Sequence, residues 1–380
     1  MKKLIGKGLI FLFVLTLILA SLSNVFIYKI DHRGKLLEGL YNSSDPYDVV
    51  LMGSSHMNGG IDPNVLWKQH GITSFNYATG GQPIDVTYYL LKEVLKKHTP
   101  SVVVVDLYYI GMTTPYGETG FISNALDNMR FSKNKLEAIQ NCTPQKEWLS
   151  FLLPVLKYHF RWSTLTPADF FYNSSSIYYL KGFSAGTQRY GKQDITKVTT
   201  DKKAEIPAKN LSYLYKFIKL SKENKFQLVF VNMPCDYTES NRSSGWVSDC
   251  EAMFNTVADL CQKNNVPFLD LCDRMDEIGL DFSQDMNNSG HLNVWGAYKT
   301  SSYFGNYLKQ NYSLPDRRND SALAARWNHD YSLTLWRLPL KTARQIQRHK
   351  SSTHCATRCV HFPLPAGMKK TNFTAQSKMP

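Results

Sequence analysis

Four consecutive valines at 102–105, inside "SVVVVDLYY" (101–109), leave little choice of fold. A run of β-branched residues with no polar alternation reads as a strand covered on both faces, the pattern of parallel sheets whose crossover helices shield each side. Similar short runs recur at 48–52, 73–77, 227–234 and 267–271. Between them lie segments of helical period, at 84–97, 208–223, 246–264 and 294–309. Ile84, Tyr88, Leu91 and Leu95 share one face of the first. Strands alternating with helices predict an α/β chain with a parallel sheet. Ligands of such sheets bind beyond the carboxyl ends of the strands, so the loops after 52, 77, 232 and 271 are where chemistry is expected.

The first of these loops is "GSSHMNGG" (53–60). Gly-Ser-Ser ends a strand and caps a helix in any protein, because small hydroxyl residues satisfy orphan N–H groups. The same turn also lifts a serine hydroxyl out of the core at a helix N-terminus, which suits a nucleophile. A glycine pair follows the second strand in "NYATGGQP" (76–83), and "NNSGHLNVWGAYKT" (287–300) precedes the last helix.

These three blocks, in this order, resemble the SGNH (GDSL-like) hydrolase superfamily, in particular its membrane-anchored DltD-like and alginate-acetylation-like branch, over roughly residues 45–312. The resemblance implies a three-layer, flavodoxin-like parallel sheet. It implies Ser55 as nucleophile, His291 as base, and a backbone N–H of Gly80 or Gly81 as oxyanion donor. The aspartate three residues before the family's histidine is Asn288 here, and no asparagine follows the third strand. Asn288 is therefore the candidate for orienting the base, Asp281 and Asp285 are its possible substitutes, and Asn232 and Gln82 are the available oxyanion amides. His56 is expected to form a pocket wall. Chemically the set is coherent, because acyl transfer needs a nucleophile, a base for its proton and donors for the developing oxyanion.

Residues 1–30 carry Lys2, Lys3 and Lys7 ahead of an uncharged stretch, 8–28, long enough to span a bilayer. We read an uncleaved single-pass anchor at the cell membrane with the body extracytoplasmic, a secretory signal peptide being the alternative. Between about 110 and 205 an aromatic-rich insertion interrupts the α/β rhythm. Its aromatics read first as core of a small helical cap, and "YHFRW" (158–162) alternatively as a surface for sugars or a membrane partner, with His159 and Arg161 anchoring over the pocket.

The formal charge of +13 comes largely from the end of the chain, where nine basic residues and no acidic one follow Tyr331. We read 313–380 as a basic tail outside the fold, disordered first, with an unrelated or out-of-frame extension and, last, a wall-polymer-binding arm as the alternatives. A nucleic-acid partner is not expected, since the body is close to balanced. The seven cysteines form no C-x-x-C pair and read as small buried hydrophobes. The spacing of His354, Cys355, Cys359 and His361 fits no common zinc pattern. No cofactor and no metal is expected.

The functional expectation is a serine esterase or O-acyltransferase, most simply O-acetyl, acting on a cell-surface polysaccharide or wall polymer with a membrane-bound O-acyltransferase as possible partner. The alternative, favoured by Asn288, is a non-catalytic SGNH-like module that binds glycan or scaffolds such an acyltransferase.

Overall fold

The computed structural model describes residues 2–29, 39–171, 178–192, 199–236 and 244–335. Helix α1 (Lys2–Phe26) stands first, 25 residues with a mean hydropathy of 2.5 over its most apolar window and its side chains largely exposed. The body then runs β1 (Val49–Met52), α2 (Ser55–Gly60), α3 (Pro63–His70), β2 (Ser74–Asn76), α4 (Ile84–Val94) and β3 (Val102–Asp106). The insertion follows with α5 (Thr119–Leu126), α6 (Lys133–Cys142), α7 (Trp148–Leu152), α8 (Val155–Tyr158) and α9 (Pro167–Phe170). The rhythm resumes with α10 (Ala208–Asn224), β4 (Gln227–Asn232), α11 (Cys250–Lys263), β5 (Phe268–Asp270), α12 (Met275–Ile278), α13 (Phe282–Asp285) and α14 (Val294–Asn311), and α15 (Ser321–Thr334) closes the described chain.

All five strands are parallel, in the order β2-β1-β3-β4-β5. Strand period divides their side chains between two cores. Val50, Met52, Val103, Val105, Leu228 and Phe230 pack with α4, α10 and α11 on one face. Val49, Leu51, Val102, Val104, Val229 and Val231 pack with α2, α3 and α14 on the other. Burial on both faces explains why these strands carry no polar alternation.

Local polar contacts set two boundaries that periodicity alone misplaced. The strand expected to reach 109 stops at Asp106, whose Oδ1 accepts the N–H of Tyr108 (3.1 Å) and turns the chain into a 3-10 helix at Tyr108–Gly111. The helix expected from 246 begins at Cys250, because Asp249 caps it by accepting from Ala252 N (3.0 Å).

The tail expectation needs a larger correction. Residues 313–335 are ordered and packed: Asp320 caps α15, and Trp327 is fully buried with its ring 5.2 Å from that of Trp67. Arg317 grips Asp48, just before β1, with two bonds of 2.9 and 2.7 Å. The excess of basic charge begins only after Tyr331, so it says nothing about the preceding amphipathic helix. Residues 336–380, with the His354–His361 cluster and two of the seven cysteines, lie outside the described residues. The other five cysteines are buried free thiols.

The insertion is core in part only. Phe151 is fully buried, but Phe160, Trp162, Phe170 and Phe171 are exposed, and Tyr172 lies outside the described residues. Arg161 is not over the pocket. It is buried against the end of α1, donating to the carbonyl oxygens of Phe26 and Ile27 and pairing with Asp169 at 2.7 Å. An arginine at a helix C-terminus satisfies carbonyls that have no intrahelical partner, which explains its place. His159 is exposed, its Nδ1 3.1 Å from Leu156 O.

Candidate active site

The turn after β1 is built around Gly53. Its φ of +138° is a conformation that side chains rarely adopt, and a Cβ there would lie 2.6 Å from Asp106 Cβ at the end of the neighbouring strand. The close approach lets Asp106 Oδ2 accept both Ser54 N (3.2 Å) and Ser54 Oγ (2.7 Å). The same Ser54 Oγ accepts His56 N (3.3 Å) and so caps α2. Of the two adjacent serines, Ser54 is thus locked in structure and buried, while Ser55, first residue of α2, is half-buried and turned toward the loop before α14. Gly53→Ala should lower stability by about 2–4 kcal/mol, combining backbone strain with a forced Cβ contact. Chemical denaturation would measure this, and an unchanged midpoint would refute the clash.

Asp106 holds this turn at an electrostatic cost. Burial pushes its carboxyl up to about 6, against the bonds from Ser54 and Tyr108 that pull it down. Helix α2 is fixed from below by Asn76, whose Nδ2 donates to Met57 O (2.8 Å) and Ile61 O (3.1 Å). Sequence reasoning missed both roles. The signal for Asp106 was present, as a lone carboxylate ending a run of four valines.

The second half of the site is the loop 286–293. Asn287 N donates to His291 O (2.7 Å), and Asn293 caps α14 through Trp295 N and Gly296 N. Inside the loop Asn288 Oδ1 accepts Gly290 N (3.0 Å) and His291 N (2.9 Å) and lies 2.9 Å from His291 Nδ1. Two backbone donors on one atom identify it as the amide oxygen, because the NH₂ group would face N–H against N–H. It follows that His291 Nδ1 carries the proton and donates to Asn288. His291 Nε2 is left with its lone pair, 2.7 Å from Ser55 Oγ. The structure therefore brings Ser55, His291 and Asn288 into one relay across 236 residues of chain.

Asp281 and Asp285 do not substitute for Asn288. Asp281 caps α13, and Asp285 accepts Asp281 N (2.7 Å) and Lys299 Nζ (2.6 Å). His56 is buried beside the pair, stacked on Tyr108 with centroids 3.5 Å apart and on His291 at 4.7 Å. Burial, with His291 as neighbour, holds its pKa well below the ordinary histidine value, and its buried Nδ1 has no partner among the described residues.

The oxyanion candidates separate. Thr79 N donates to Gly53 O (3.3 Å), which draws the loop after β2 alongside the Gly53–Ser55 turn. Gly80 faces open space, since a Cβ there would meet nothing within 4 Å, whereas Gly81 (φ +63°) is pressed against the Phe121 ring. Neither the Ser55 nor the Gly80 N–H donates to another group among the described residues. Asn232 is buried at the end of β4, and its Nδ2 donates to Asp270 Oδ1 on the adjoining strand (2.9 Å). That places it in the β4–β5 ladder, with no bond to Ser55 or His291. Gln82 is engaged at both ends, with Thr79 and Thr87. Among the described residues no group of three or more His, Cys, Asp or Glu is placed to hold a metal ion.

Desolvation lowers the pKa of His291 below 6.5. A histidine acting as a general base must be neutral, so if His291 fills that role the acid limb of kcat/KM should fall below that of an ordinary histidine. A pH–rate profile whose acid limb lies above 6.5 would contradict this.

No family model and no curated protein matches the chain. Among solved structures it is similar to a protein from Bacteroides fragilis described as an acylhydrolase, at 12% identity and a TM-score of 0.36, covering 73% of this chain and 93% of that one. A gut microbial diltiazem-metabolizing enzyme is similar at 15% identity and a TM-score of 0.25, covering 68% of this chain and 47% of that one. Likenesses this distant bear on neither site nor substrate.

Proposed function

We propose that this chain is a serine esterase or O-acyltransferase of the SGNH type, and the observation that carries the reading is the unbroken relay Ser55–His291–Asn288. The His291 lone pair takes the Ser55 proton as Oγ attacks an ester carbonyl, and Asn288 Oδ1 holds the imidazole in the tautomer that permits it. The Ser55 and Gly80 N–H groups are the donors for the oxyanion. The tetrahedral intermediate then expels the alcohol with the proton from His291, leaving an acyl group on Ser55. Water releases that acyl group in an esterase, and a sugar hydroxyl takes it in a transferase. An amide as orienting group is compatible with turnover, as the Cys-His-Asn proteases show.

Further support comes from the strand order, which is that of flavodoxin-like sheets. Its direction reverses between β1 and β3, and Ser55 and Asp106 lie at the carboxyl ends of these two strands. The apolar α1 behind three lysines favours a membrane anchor with the body outside the cytoplasm. An extracytoplasmic ester enzyme suits O-acetyl groups on a surface polysaccharide or wall polymer, with a membrane-bound O-acyltransferase as partner.

The test is turnover of p-nitrophenyl acetate by the purified chain, alongside binding of acetylated and deacetylated polysaccharide. Release of p-nitrophenol that disappears in Ser55→Ala supports the enzyme. Glycan binding without turnover in the parent supports the non-catalytic reading, which the uncharged Asn288 favours.

A further inference from the structure

We propose that the insertion between β3 and α10 is a membrane seat, a surface that rests in the headgroup layer of a phospholipid bilayer beside the exit point of α1. The proposal rests on the reading of α1 as an anchor, and is separate from the chemistry at Ser55.

The insertion grips the end of α1 at several points. Arg161 binds the Phe26 and Ile27 carbonyls, Val155 N donates to Ser23 Oγ (3.1 Å), and the rings of Tyr28 and Tyr158 pack edge to face at 5.4 Å. Helices α7 and α8 and the turns after them are thereby held at the level where α1 leaves the hydrocarbon. The insertion displays Leu149, Leu152, Leu156, Phe160, Trp162 and Phe171, with Trp162 73% and Phe171 84% exposed. Soluble surfaces rarely gather so many large apolar side chains into one region, and aromatic residues concentrate where membrane meets water.

Two further observations favour lipid over a protein partner. A cavity of about 740 Å³ lies between α1 and the insertion, walled by Ala20 and Ile27 on one side and Leu149, Leu152 and Leu153 on the other. Its wall also carries Asp127, Asn128 and Lys135 of the insertion, so the hollow is apolar along α1 and polar at its edge, as the junction of acyl chain and headgroup requires. Exposed Arg130, Lys133 and Lys146 stand on the same insertion, the first on the cavity rim, and suit anionic headgroups.

The experiment uses the full chain reconstituted in phosphatidylcholine–phosphatidylglycerol vesicles, with the phosphatidylcholine either plain or brominated near the headgroup end of its chains. Helix α1 contains no tryptophan, so its insertion alone quenches nothing. The expected result is loss of tryptophan emission in brominated vesicles, most of which vanishes in Trp162→Tyr. Retention after carbonate extraction with Trp162 emission equal in both vesicles would overturn the seat while leaving the anchor intact. Release by carbonate would overturn both. Ester turnover by Ser55 is measured separately and is unaffected by either failure.

Discussion

His291→Ala removes ester turnover, with a fall in kcat on the order of 10⁶, the size of loss seen when the base of a serine hydrolase is deleted. Ser55→Ala falls as far, and the double variant falls no further, because nucleophile and base act as one unit. The 2.7 Å contact between Ser55 Oγ and His291 Nε2 is the reason to expect this coupling. Asn288 separates the account from a generic serine–histidine pair. Asn288→Ala leaves the two loop N–H groups and the imidazole Nδ1–H without an acceptor, and should cost on the order of 10⁴ in kcat. Asn288→Asp keeps all three bonds and adds a negative charge beside the imidazole. It should raise the His291 pKa, moving the acid limb of kcat/KM upward, and raise kcat by stabilising the imidazolium. Steady-state assays of the five variants check these outcomes. Turnover by His291→Ala within tenfold of the parent would break the relay.

Much of this site could be read from the chain because its parts are short blocks that carry their own turn chemistry. Gly53-Ser54-Ser55 stops a strand and opens a helix, and Asn288 and His291 share one tight loop, so residue type and spacing suffice. The remaining parts depend on contacts between strands. Which serine is free is decided by Asp106, 52 residues from Ser54, and no local pattern reports that pairing. The same holds for Asn232: its position at a strand end is legible, but its bond to Asp270 depends on strand neighbours. Arg161 reads as a pocket anchor only where its aromatic company forms a ligand surface, and the carbonyls at the end of α1 decide instead where it goes.

Trp327→Ala should cost about 3–5 kcal/mol, the range for removing a fully buried aromatic. For a domain of this size that is a fall in Tm of about 10 °C. The indole packs near Trp67, donates Nε1–H to Asp45 Oδ2 (2.9 Å) and lies under the Lys181 ammonium, 4.5 Å from the ring, so truncation leaves a cavity and an unmatched acceptor together. A chain ending at residue 312 loses this packing and the Arg317–Asp48 pair as well, and should be less stable still. Thermal and urea unfolding of both variants provide the check. Unchanged transitions would mean that α15 does not hold the body. The residue composition of 313–380 hides this helix, because averaging over a long basic stretch dilutes one capped, amphipathic segment.

The central claim, that Ser55 is a nucleophile activated by His291, is tested most directly by reaction of the intact chain with a fluorophosphonate, read by mass spectrometry. Phosphonylation forms a bond from Oγ to phosphorus as fluoride leaves, and it requires an activated hydroxyl, independent of acyl donor or acceptor. The expected result is a single adduct on the peptide carrying Ser55, absent from Ser55→Ala and strongly slowed in His291→Ala. An adduct on Ser54, or labelling of Ser55 at equal rates in the parent and His291→Ala, would contradict the account.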